Sequence, residues 1–126
     1  MEEKIAPDTR EEPLNPDLLC VPAGDALVRH VRFLAADGSP LNLSDPQLAI
    51  RWQIITPEGV EMLSKKTGDP GLTIVSAIDG LVRLVLSPGE TRLFTPGIYR
   101  DIARAIFPGG VFARCTGRLE ILPALP

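Results

Sequence analysis

The sequence predicts an all-β fold: an antiparallel sandwich of about seven or eight strands with at most one short helical turn. Three observations predict it. Turn signals separate short apolar runs about every 8–12 residues. Several of those runs alternate apolar and polar residues with a period of two. The 126 residues, 44% of them hydrophobic, are enough for one domain and too few for two of ordinary size. A chain of this length buries roughly two-thirds of its unfolded surface, so neither metals nor disulfides are required to hold it together.

Residues 1–16 are acidic and broken by proline: Glu2, Glu3, Glu11 and Glu12 alternate with Pro7, Pro13 and Pro16. With so little to bury, this stretch is expected as a flexible arm ahead of a sandwich domain over residues 17–126. Its functional alternative is an arm that orders against a neighbouring subunit. Leu18–Val21 reads as a first short strand, stopped by Pro22-Ala-Gly-Asp25. Ala26–Ala35 is the second, closed by the turn Asp37-Gly38-Ser39-Pro40. Leu41–Pro46 is an extended bridge into the clearest alternation of the chain, where Leu48, Ile50, Trp52 and Ile54 share one face of a strand.

Thr56-Pro57-Glu58-Gly59 turns the chain into Val60–Lys66, a more polar strand expected at an edge, with Lys65 and Lys66 guarding it. Leu72–Ser76 and Leu81–Leu86 follow, separated by Asp79-Gly80. Ser87 caps a short helical turn with Pro88 at its first position and Glu90 three residues after the cap. Ile98, Ile102 and Ile106 fall at helical spacing, but Pro96-Gly97 and Pro108 bracket them, so Ile98–Phe107 is expected as a strand. Pro108-Gly-Gly110 leads into the last strand, Val111–Leu122. There Val111, Ala113, Cys115, Gly117, Leu119 and Ile121 share one face, and Phe112, Arg114, Thr116, Arg118 and Glu120 the other.

The function classes narrow by elimination. A formal charge of −3 lacks the basic footprint of a nucleic-acid binder. The charged N-terminus has no apolar leader, and no apolar run approaches the roughly 20 residues that span a bilayer. Folding in a reducing cytoplasm is the expectation. The single histidine, His30, sits in a strand without a nucleophile or ligand cluster nearby in sequence. The aspartates at 25, 37, 45, 69 and 79 are spaced as turn residues, not as a calcium loop. No catalytic residue, cofactor site, metal site or small-molecule substrate is therefore assigned.

Asp101, flanked by Arg100 and Arg104, is expected to be ion-paired on a solvated face; a buried Tyr99–Asp101 network is the alternative. Trp52 is expected in the core. Four arginines, Arg100, Arg104, Arg114 and Arg118, fall on one hairpin and are the candidate surface for an acidic partner, which includes the chain's own acidic arm. Cys20 and Cys115 are expected as free, buried thiols. A bridge between them, closing a loop of about 95 residues for about 4–5 kcal/mol, is the minority alternative and needs their strands side by side.

The order of these features resembles the small β-sandwich domains of phage tail and baseplate proteins. It is most similar to the N-terminal domain of the baseplate upper protein family and its short stand-alone relatives. The resemblance runs through Gly24-Asp25, Asp37-Gly38-Ser39-Pro40-Leu41-Asn42-Leu43-Ser44 and Thr56-Pro57-Glu58-Gly59. It continues through Asp79-Gly80-Leu81-Val82-Arg83-Leu84-Val85-Leu86, Thr95-Pro96-Gly97-Ile98-Tyr99-Arg100-Asp101-Ile102 and Gly117-Arg118-Leu119-Glu120-Ile121. It implies an immunoglobulin-like, non-enzymatic module of a virion assembled in the host cytoplasm. Such a module docks with other virion proteins and with copies of itself in a symmetric assembly. A sandwich that binds carbohydrate or protein is the alternative, with Phe94, Phe107 and Phe112 as its candidate aromatics.

Overall fold

The structure, a computed structural model, describes residues 18–125 apart from the side chains of Val111 and Phe112. The acidic segment 1–16 lies outside the described residues. Eight strands are present among those described: β1 (Leu18–Pro22), β2 (Leu27–Arg32), β3 (Ala49–Ile55), β4 (Glu61–Lys66), β5 (Leu72–Ser76), β6 (Leu81–Leu86), β7 (Gly97–Phe107) and β8 (Gly110–Leu122). A single turn of helix, α1 (Pro88–Thr91), precedes β7. They form a five-stranded sheet ordered β1-β8-β7-β3-β4 and a three-stranded sheet ordered β2-β6-β5. This distribution of strands, with β2, β6 and β5 facing a larger sheet built on β8, β7 and β3, is that of an immunoglobulin-like sandwich.

Period-two alternation places the core between the sheets. In β2, Leu27, Arg29 and Val31 are buried while Val28, His30 and Arg32 are exposed. Ile50, Trp52 and Ile54 of β3, Val82, Leu84 and Leu86 of β6, and Leu119 and Ile121 of β8 are all at most 1% exposed. One pairing departs from the antiparallel expectation. β1 runs parallel to β8, with Leu18 opposite Arg118 and Pro22 opposite Leu122. A parallel pair cannot be closed by a tight turn, and here the whole sandwich intervenes between the two strands.

The second strand ends at Arg32, three residues earlier than the sequence suggests, because the chain folds back on itself at Asp37-Gly38. Leu34 forms an isolated bridge with Pro40, and Gly38 adopts a φ of 88° that favours glycine. The turn aspartates act locally as expected. Asp37 accepts from the Ser39 amide at 3.0 Å and hydroxyl at 2.6 Å, and Asp45 accepts from the Gln47 amide at 2.8 Å. These short-range bonds hold the Asp37 carboxyl below its ordinary value.

The corner before β7 is tied in several ways. Ser87 and Glu90 form a reciprocal capping box around α1. Buried Thr91 donates to the Asp25 carbonyl at 2.7 Å and accepts from the Gly24 amide at 3.0 Å, joining α1 to the β1–β2 corner. Tyr99 donates its hydroxyl to the Thr95 carbonyl at 2.6 Å and packs edge-on against Phe94, with ring centroids 5.1 Å apart. A tyrosine at the start of this strand, bonded back to the preceding corner, is a known feature of the fold.

Candidate functional site

Two polar constellations stand out, one inside the sandwich and one outside. The inner one is built on Asp101. The strand alternation of β7 buries Tyr99, Asp101, Ala103 and Ala105, so Asp101 points into the core and not onto a solvated face beside Arg100 and Arg104. It is 3% exposed, pairs with Arg29 Nε of the opposite sheet at 2.9 Å, and accepts from Trp52 Nε1 at 2.9 Å. Arg29 also donates from Nη2 to the Arg118 carbonyl at 3.0 Å. Gly117, opposite Asp101 in β8, makes room for that guanidinium: a Cβ there would lie 2.8–2.9 Å from three of its atoms.

In immunoglobulin domains a tryptophan of the third strand packs on a disulfide joining the two sheets, and the second cysteine follows the corner tyrosine by two residues. Asp101 follows Tyr99 by two residues and touches Trp52. Arg29 and Asp101 thus occupy the place of that disulfide with a buried ion pair. The cysteines are elsewhere. Cys20 is exposed and opposite Glu120, whereas Cys115 is partly buried and donates to the Arg32 carbonyl at 3.4 Å. Neither is in a disulfide. The strands that carry them are adjacent, but five register positions separate them, about 16 Å and an odd number of steps, which turns them to opposite faces. A bridge needs Cα atoms within about 7 Å, so the minority disulfide is not made. The expectation that both thiols are buried fails at Cys20, whose thiol is held above its ordinary value by slight desolvation, then by the hydrogen bond and charge of Glu120.

Lys65 also departs from the expected arrangement. The sequence suggests an exposed edge guard, but the side chain turns inward and is 6% exposed. It donates to the Pro70 carbonyl at 2.8 Å and to both Glu90 oxygens at 2.8 and 3.0 Å, linking β4 to α1. Partial burial works to raise the Glu90 carboxyl, but Lys65 and Ser87 together outweigh it and leave the group below its ordinary value. Lys66 remains exposed on the outer face.

The outer constellation is the solvent face of the five-stranded sheet. Registers align Lys66 with Arg51, Arg51 with Arg104, and Arg104 with Arg114, a row of four cations across four neighbouring strands. A second row brings Arg100 opposite Arg118. The hairpin therefore pairs the four expected arginines two by two, and β3 and β4 extend the patch with Arg51 and Lys66. Those two escaped the sequence reading because register alone reveals them; the alternation of β3 was the available signal. Ile55, Ile98, Ile102 and Ile106 lie between the cations on the same face.

Acidic relief is sparse. Arg51 pairs with Glu61 at 3.5 Å, Arg104 donates to the Gln53 side chain, and Glu120 sits by Cys20. Arg100, Arg114 and Arg118 have no ion pair with a described residue. Like charges directly opposite on a sheet destabilise it.

Other candidate groups do not converge. His30 is exposed on the opposite sheet face beside Arg83. Phe94 is buried against Tyr99 and offers no stacking surface, Phe107 is partly buried, and the Phe112 side chain lies outside the described set. Among the described residues there is no group of three or more His, Cys, Asp or Glu suited to a metal ion. No helix among them is long and apolar enough to cross a membrane.

No protein-family model matches the chain, and no curated protein sequence does. Among solved structures, the chain is similar to one from the crystal structure of the ZIG-8-RIG-5 IG1-IG1 heterodimer. The two are 18% identical, with a TM-score of 0.47, over 91% of this chain and 90% of the other.

Proposed function

We propose that this chain is a non-enzymatic protein-interaction module whose docking surface is the outer face of the five-stranded sheet. The observation that carries the reading is the aligned row Lys66–Arg51–Arg104–Arg114. Four like charges in register cost stability, and departures of that kind are expected at functional sites. Planar guanidiniums bind carboxylates in bidentate fashion, and the isoleucines between them supply apolar contact, so an acidic protein segment is the partner that fits. A sugar would want an exposed aromatic platform, which Phe94 does not give.

The finer reading is an assembly subunit of a phage or phage-like particle, a tail, baseplate or neck module in several copies within the virion. It draws support from the turn-by-turn resemblance of the sequence to phage sandwich domains. Mass-spectrometric inventory of purified particles from the source of this chain tests it. Stoichiometric incorporation is expected, with loss on Arg104→Glu plus Arg114→Glu. Particles that lack the chain would refute the virion reading, and incorporation of the reversed variant at wild-type level would refute the surface.

A further inference from the structure

We infer that the cationic face is covered by the acidic segment Glu2–Glu12 of the same chain, which thereby competes with the docking partner. The inference rests on reading that face as a docking surface for acidic protein segments. Charge argues for it first. Residues 1–16 hold five acidic side chains against two basic ones, whereas the outer face holds six cations, Arg51, Lys66, Arg100, Arg104, Arg114 and Arg118, against Glu61 and Glu120.

The attachment point argues for it second. The described chain begins at Leu18, directly opposite Arg118. Because β1 runs parallel to β8, the chain upstream of Leu18 starts beside Arg118, at the edge of the face, on the side toward Arg114. Glu12 precedes Leu18 by six residues, a reach of about 20 Å when extended. Four strand spacings separate β1 from β4, about 19 Å. Glu11 and Glu12 can therefore meet Arg114 and Arg104, and Glu2 and Glu3 can meet the far end of the row.

Composition argues third. Pro7, Pro13 and Pro16 lack the amide hydrogen a new edge strand would need, which favours side-chain contact across the face over strand addition. A second copy laid face to face would instead oppose like charges. Tethering supplies an effective concentration in the millimolar range, enough to hold a weak contact closed.

The test uses the full chain and a variant with Glu2, Glu3, Glu11 and Glu12 each changed to Gln, both titrated with decaglutamate peptide at low salt while amide resonances are followed. The variant is expected to bind about tenfold tighter, as a millimolar tether competing with an intrinsic affinity near 0.1 mM requires. Before peptide is added, amides of β3, β7 and β8 should already differ between the two proteins. Equal affinities with superimposable amides would overturn the inference and leave the docking face intact. Amide differences without peptide binding by either protein would support the self-cover and refute the acidic-partner reading. Differences that grow with protein concentration would place the segment on a second copy and overturn the intramolecular claim.

Discussion

Asp101, Arg29 and Trp52 set the energetics of the interior. For a buried carboxylate, contacts with one guanidinium and one indole offset the cost of desolvation while all three are present, but removal of one partner strands the others. Asp101→Ala is expected to lower the unfolding free energy by about 3–5 kcal/mol, measured by urea denaturation, and Arg29→Met combined with Asp101→Leu should cost clearly less. Gly117→Ala should cost about 1–3 kcal/mol, because the new methyl meets the guanidinium that Asp101 and the Arg118 carbonyl hold in place. Since neither cysteine is in a disulfide and the sheets are pinned by an ion pair, the thermal midpoint should be the same with and without reductant. A midpoint that falls on reduction would contradict that pin. Little of this was legible beforehand. The Tyr99-Arg100-Asp101 run suits either face of a strand until the register fixes which residues turn inward, and its partner Arg29 is 72 positions away in sequence.

Elements, by contrast, were largely readable, because turns and alternation are local. Ser87-Pro88-Gly89-Glu90 announces its capping box, and Pro96-Gly97 decides between a helix and β7 despite the fourfold spacing of Ile98, Ile102 and Ile106. A spacing of four is also even, so the three isoleucines share one face of the strand. Two features were not readable. The parallel seating of β1 on β8 depends on how distant strands meet, and the inward turn of Lys65 depends on Glu90, 25 residues later. That contact gives an element-scale prediction. Glu90 is ordinarily half-protonated near 4.5 and lies lower when folded, so the unfolded chain takes up its proton first as pH falls. The stabilisation is therefore complete above that range and is lost as pH drops through the lowered folded value. Glu90→Gln should lack this contribution at neutral pH and show a flatter acid limb in urea midpoints recorded from about pH 3 to pH 7. An acid limb identical to that of the parent would show that the Lys65 link contributes nothing.

At the scale of the whole molecule the fold is a scaffold, and its larger sheet carries the chemistry on the outside. Sequence alone exposed the four hairpin arginines, since alternation within β7 and β8 assigns their face. The extension to Arg51 and Lys66 needed the pairing of β3 with both neighbours, which no local pattern encodes. A surface shaped for stability would not align these charges, and that leads to opposed effects of a single change. Arg114→Glu places a carboxylate opposite Arg104 and should raise stability by about 0.2–1 kcal/mol while it weakens docking. The most direct test of the cationic docking face is a decaglutamate titration of the full chain and of its Arg104→Glu, Arg114→Glu double variant, with amide shifts and urea stability read on the same samples. Shifts are expected to centre on β3, β7 and β8 in the parent and to be suppressed near 1 M salt, where screening acts within about 3 Å. In the double variant those shifts should be absent while urea stability stays close to the parent's, because positions 104 and 114 still oppose like charges but position 104 gains an opposite charge across from Arg51. Peptide shifts that survive the double reversal, or that fall on the β2-β6-β5 sheet, would contradict the cationic docking face.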